Sequence, residues 1–229
     1  MQNEFNLTIY EEIVLLALDD EKGSAELGSM FTMAMGGAVL AELAMEGAIA
    51  ISSDKKKHVT IAGPFSSSDS LLTECLAMIA DQQKTKGATH WAQKFAGIKD
   101  LKNRVARQLV DKGILREDQK GFLGIFKWAV FPEADHRPEQ AIIKRMEAAI
   151  FTYTQEVEYR TIVLIALAQA TSLLKKVFDK KALKERKQRL AELTSGEVVG
   201  KATKEAVEAV QAAIAIAAIM PAVIVTTTS

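Results

Sequence analysis

Apolar and polar residues follow one another at helical spacing over most of this chain, interrupted twice by strand–turn–strand patterns. Thr8 followed by Glu11 is a capping box and predicts a helix opening through EEIVLLAL. Asp19, Asp20, Glu21, Lys22 and Gly23 make a polar turn, and a second helix runs through MFTMAMGGAVLAELAME to Gly47. The Gly36–Gly37 pair inside it lowers helix stability, which suggests close packing or close approach of something else to the backbone. AIAIS, SDKKK and HVTIAG then read as strand, basic turn and strand. Ser68 or Asp69 caps the next helix, through LLTECLAMIADQQ. KTKGATH is a loop, and HWAQKF begins a short helical piece. Ile98, Leu101, Val105 and Leu109 share one face of a further helix that Gly113 stops. After it, ILRE, DQKG and FLGIFKWAVF repeat the order strand, turn, strand. Beyond FPEADHRPEQ the pattern is helical throughout, in EQAIIKRMEAAIFTYTQ, YRTIVLIALAQATSLLKKVF, KALKERKQRLAEL and KATKEAVEAVQAAIAIAAIM. The expected fold is mostly α. It is a single helical domain over residues 1–229 with two wing-like β-hairpins, at about 48–62 and 114–131, the second an aromatic hairpin that projects.

Composition narrows the function. Hydrophobic residues make up 48% of the chain and charged residues 25%, both ordinary for a soluble globular protein. Twenty-nine basic residues balance 29 acidic ones, so any attraction to an anionic membrane or to nucleic acid must come from a local patch. Cys75 is the single cysteine, which rules out an intrachain disulfide and fits a reducing cytoplasm. The start, MQNEFNLTIYEE, lacks the basic and apolar run of a secretory signal. The most apolar stretch, residues 212–225, contains Pro221 and falls short of the about 20 residues a spanning helix needs. It is expected to be a buried terminal helix that breaks at the proline.

No catalytic constellation assembles. His58, His90 and His136 lie far apart, and no ligands stand at the paired spacing of a metal site. Cys75 sits among Leu71, Leu72 and Ile79, as a packed core thiol does. Phosphate-binding loops, dinucleotide fingerprints and nucleophile elbows are missing. The expectation is therefore a protein that is not an enzyme, with no cofactor and no metal. Three features carry other chemistry. Lys99 and Lys102 fall together on one flank of the helix over 98–112, with Arg104 and Arg107 round the far side, as an anion-binding shelf or a solvated face would place them. The KKKH run at 55–58 is a concentrated positive turn, either a solvated tip or a headgroup contact. The hairpin after Gly113 has two apolar faces, Phe126, Trp128 and Val130 on one and Leu123, Ile125 and Phe131 on the other. One face can pack on the domain, and the other is expected to meet a second subunit through Phe126, Trp128 and Phe131.

LTIYEEIVLLALDDEKG, LAELAMEGAIAI, VARQLVDKGIL and RTIVLIALAQATSLLKKVF, in this order and spacing, resemble the Golgi phosphoprotein 3 family over nearly the whole chain. The resemblance implies a helical single domain with β-hairpins and a non-enzymatic peripheral membrane adaptor. Such proteins bind phosphatidylinositol 4-phosphate in a shallow basic pocket, recognise short cytoplasmic tails of glycosyltransferases, and self-associate through a hairpin. It also implies a cytoplasmic, peripheral membrane location, at the Golgi only if the source is eukaryotic. Two basic pocket residues of the family match Lys99 and Lys102. Its aromatic and its arginine fall near Leu27 and at Gly36, so half of the pocket is lost and a different lipid preference is expected. With only six residues ahead of the domain, the chain lacks the basic arm used for coat binding, which suggests a divergent or prokaryotic relative. Two alternatives stand beside the lipid-binding adaptor. One is a helical scaffold that uses protein contacts alone. The other is a winged-helix nucleic-acid binder, which the zero net charge disfavours.

Overall fold

Helix α1 (Ile9–Ala17) runs through the centre of the molecule, and all of its residues are buried. The computed structural model describes residues 5–19, 23, 29–122, 126–152, 154 and 156–195. Thr8 caps α1: its side chain accepts from the Glu11 N–H, and the Glu11 carboxylate accepts from the Thr8 N–H at 2.8 Å. A helix apolar all round belongs inside a bundle, and α1 touches four others. These are α2 (Ser29–Met45), α5 (Leu101–Asp111), α6 (Arg137–Phe151) and α7 (Tyr159–Ala170).

The closest helix pair is α2 with α4 (Ala88–Ala96). Gly36 explains it. A methyl group there would lie 2.0 Å from the Ala92 carbonyl oxygen and 2.7 Å from the Ala96 nitrogen, so only a hydrogen fits. The close approach seats Trp91 and Phe95 in the core. Burying a phenylalanine side chain stabilises by roughly 1.5–3 kcal/mol, enough to offset the cost of about 1 kcal/mol for glycine in a helix. Helix α3 (Ser70–Ala80) is capped by Asp69, whose carboxylate accepts from the N–H groups of Leu71 and Leu72. It buries Leu71, Leu72, Cys75 and Ile79.

The first hairpin is β1 (Ile49–Ile51) with β2 (His58–Ile61), and Ile51 pairs with Val59. The expected loop KTKGATH supplies a third strand, β3 (Lys86–Gly87), which pairs with β2. The hairpin is thus part of a small sheet and not a free wing. The second hairpin is displaced from its expected place. The strand β4 is Asp118–Phe122, the segment that reads as a turn by composition, and it pairs with β5 (Phe126–Val130). ILRE contributes one bridge, Leu115 to Glu133, while Ile114 and Leu115 are buried. A ribbon with solvent on both sides accepts polar residues as strand, which is why DQKG could be extended.

Two of the late helical runs are divided. After α7 the chain turns at Ser172, whose φ is +65°, into α8 (Leu174–Val177). The next run separates at Arg186 into α9 (Lys180–Glu185) and α10 (Lys187–Ser195). The last apolar run and Leu27 lie outside the described residues. Among the described residues no helix is long and apolar enough to cross a membrane.

Candidate functional site

The basic stretch before Gly113 is not one helix. Residues 97–100 form a turn, Asp100 adopts φ +58°, and α5 begins at Leu101. Lys99 therefore stands in the turn, exposed, while Lys102 lies half-buried in the first helical turn. The shared helical flank expected for them does not exist; the two lysines lie on either side of the start of α5. Arg104 and Arg107 prove different in kind. Arg104 pairs with Glu74 at 2.6 Å, and Arg107 lies 3.3 Å from both Asp100 and Glu117. Hydrogen bonds donated to those carboxylates raise both guanidinium pKa values further, so each arginine stays charged and occupied. Neither Lys99 nor Lys102 meets a carboxylate among the described residues.

The start of α5 is also uncapped. Asp100 holds the cap position but gives no side-chain bond to the helix. Its carboxylate instead accepts from Asn103 Nδ2 at 2.6 Å and from Arg107. The Leu101 N–H goes to the Ile98 carbonyl at 3.3 Å, while no side chain caps those of Lys102 and Asn103 at the positive end of the helix dipole. Uncapped N–H groups, that dipole and the two ammonium groups make a surface suited to a phosphate. At the other end Gly113, with φ +72°, closes α5 by letting the Ile114 N–H reach the Leu109 carbonyl at 2.9 Å.

Gly36, where the family's arginine falls, has no room for any side chain. The expected loss of an arginine there thus has a packing reason in this chain: α4 lies against the Gly36 backbone. The KKKH turn carries its own counter-charge. Asp54 accepts from the Lys56 N–H at 2.6 Å and lies 2.9 Å from His58 Nδ1. Hydrogen bonds from Ser52 and His58 hold the Asp54 carboxyl well below the usual range, so the turn is less positive than its sequence. Of the hairpin residues expected at a subunit interface, Phe131 is 1% exposed and packed in the core under Arg107, so no second copy can reach it. Trp128 is 49% exposed. The side chain of Phe126, together with Leu123 and Ile125, lies outside the described residues.

Sequence patterning missed a buried ionic layer. Glu42 on α2 accepts from the Ile9 N–H at 2.7 Å and from Arg160 Nη2 at 2.7 Å. Arg160 also donates to the Leu7 carbonyl. Glu12 pairs with Arg145 at 2.7 Å, and Glu11 with Lys112 at 2.7 Å. Burial works against the charge of Arg160, yet the facing Glu42 carboxylate holds its pKa above the ordinary value. A cleft of about 550 Å³ opens beside this layer. Glu11, Glu42, Glu46, Asp69 and Asp111 line it against only Lys112 and Arg160, a balance that repels a phosphate. Among the described residues no group of three His, Cys, Asp or Glu could hold a metal ion.

The chain is similar to the vacuolar protein sorting-associated protein 74 of Eremothecium gossypii, 25% identical over 209 residues. It is 26% identical over 206 residues to the protein of the same name from Schizosaccharomyces pombe. These alignments cover 77% and 76% of the chain but 62% and 60% of those proteins, so the chain spans about three-fifths of their length. The family model for Golgi phosphoprotein 3 matches residues 9–210, from the first residue of α1 to beyond α10, and the chain belongs to the Golgi phosphoprotein 3 family.

Proposed function

We propose that this protein is a peripheral membrane adaptor whose anionic-headgroup contact is the uncapped start of α5 with Lys99 and Lys102. One observation carries the reading. Of the four cations there, the two arginines are held by carboxylates, while the two lysines meet no carboxylate among the described residues and stand at a helix start without a side-chain cap. The sequence resemblance places two basic positions of the family at the same two lysines, and the acidic cleft beside α1 is ill suited to a phosphate. A phosphoinositide headgroup has the chemistry this surface asks for, and cargo tails and coat are the partners an adaptor would join.

The test is sedimentation with vesicles containing phosphatidylinositol 4-phosphate, at two salt concentrations. Each lysine near an anionic surface contributes about 1 kcal/mol, so Lys99→Ala with Lys102→Ala lowers binding roughly thirtyfold. Wild-type binding falls as salt rises. Pelleting that ignores both substitutions leaves a scaffold that uses protein contacts alone. Self-association, if it occurs, runs through Trp128 on the projecting hairpin. Light scattering then shows a dimer or larger at micromolar concentration, reduced by Trp128→Ala.

A further inference from the structure

The most basic segment of the chain lies away from α5, in the three short helices that follow α7. Residues 172–190 hold eight basic side chains against two acidic ones. Some of these cations work inside the fold. Lys176 donates to the carbonyls of Leu16 and Leu18, Arg186 to that of Phe151, and Arg189 to those of Ala149 and Thr154. Four others, Lys175, Lys180, Lys184 and Lys187, are exposed around a pocket of about 390 Å³. Its floor is apolar, from Leu174, Leu183 and Leu190. Among the described residues no carboxylate lines it. Asp179 caps α9, Glu192 lies with Arg189 and Gln188, and Glu185, the other acid of the segment, is exposed and outside the pocket lining. None of the four lysines meets a carboxylate among the described residues.

We propose that this pocket is a second, separate site, and that it takes a free amphipathic anion: a phosphate-like head for the lysine rim joined to an apolar body for the leucine floor. The reasons are charge complementarity and shape. Four like charges around one concavity repel one another, so each gains when an anion enters. The apolar floor gains when water leaves it. A bare ion uses only the rim, and a neutral amphiphile only the floor. The volume lies in the range of small-molecule pockets, and it suits a ligand that enters singly.

Octyl phosphate below its micelle concentration is the probe, titrated calorimetrically into the full chain while circular dichroism follows the fold. Inorganic phosphate and octyl glucoside are the two half-ligands, and each is expected to bind at least tenfold more weakly than octyl phosphate. Lys180→Gln, Lys184→Gln and Lys187→Gln together lower octyl phosphate affinity at least tenfold. Lys99→Ala with Lys102→Ala leaves it unchanged, which separates this site from the headgroup contact. Vesicles containing phosphatidic acid form a further arm, and their pelleting is expected to ignore the triple substitution. Equal binding of either half-ligand overturns the proposal. So does an unaffected triple variant, or a full chain that binds no octyl phosphate because residues 196–229 fill the pocket. Loss of vesicle binding in the triple variant, with no octyl phosphate bound, assigns the lysines to a bilayer and overturns the free ligand.

Discussion

The interior of α1, α2, α6 and α7 and the start of α5 both concentrate charge, and they use it in opposite ways. Inside, each cation answers a particular carboxylate: Arg160 with Glu42, Arg145 with Glu12 and Lys112 with Glu11. At the start of α5 the carboxylates take the arginines, and Lys99 and Lys102 meet no carboxylate among the described residues. Arg160 and Arg145, largely buried, act as struts, while Lys112 reaches the buried Glu11 from the surface. Removing a strut strands a charge in a low-dielectric setting, whereas removing an exposed lysine strands nothing. The two regions should therefore respond to mutation in different observables.

The largest effect is expected in the ionic layer. Arg160→Met leaves Glu42 buried beside no cation and should lower unfolding stability by about 3–5 kcal/mol in a denaturant titration. Adding Glu42→Gln should restore part of that loss, since the uncompensated charge goes with it. A result below 1 kcal/mol for the single change would remove the contrast between the two regions. Next comes Gly36→Ala, which forces α2 from α4 and should lose at least about 1–3 kcal/mol, although alanine is the better helix former.

Alkaline pH probes the same interior without mutation. Burial pushes the Cys75 thiol up to about 12 from 9.0, with Glu74 adding to the shift. The unfolded thiol ionises first, so stability is full below pH 9 and falls as pH rises from 9 towards 12. The slope reaches about 1.4 kcal/mol per pH unit. Burial and the Asp69 hydrogen bond push the Tyr10 hydroxyl up as well, which steepens the loss above pH 10. Cys75→Ala should flatten the stability curve between pH 9 and 10, and an unchanged curve would show that the thiol is not buried in solution. The smallest stability effect belongs to Lys99→Ala with Lys102→Ala, within about 0.5 kcal/mol. Those substitutions should register almost wholly in vesicle binding.

How much of this was legible depended on distance along the chain. Thr8 and Glu11 are three residues apart, and the cap they predict is present. Asp69 announced α3 in the same way. Glu12 and Arg145 are 133 residues apart, and Glu42 and Arg160 are 118 apart. No local pattern distinguishes those glutamates from solvated ones. The sequence singled out Lys99 and Lys102 but set them on one helical flank, whereas α5 begins only at Leu101. The apolar stripe ran smoothly through Ile98 and Leu101, so the left-handed Asp100 between them left no trace in the periodicity. The aromatic hairpin failed for a related reason. Val130 and Phe131 are adjacent and should point to opposite faces, yet both are buried because the ribbon enters the core at its base.

By itself the sequence determined a mostly helical chain, a cap at Thr8 and one at Ser68 or Asp69, the chain reversal at Gly113, and a hairpin on either side of α3 and α5. Each of these rests on interactions within a few residues, where side-chain type and spacing set the outcome. Only the tertiary structure decided which charges are struts and which are free, that Phe131 is core, and that Gly36 is a helix contact. Those depend on what a distant segment brings to the same place, and burial assigns each charge its cost only after that segment has arrived.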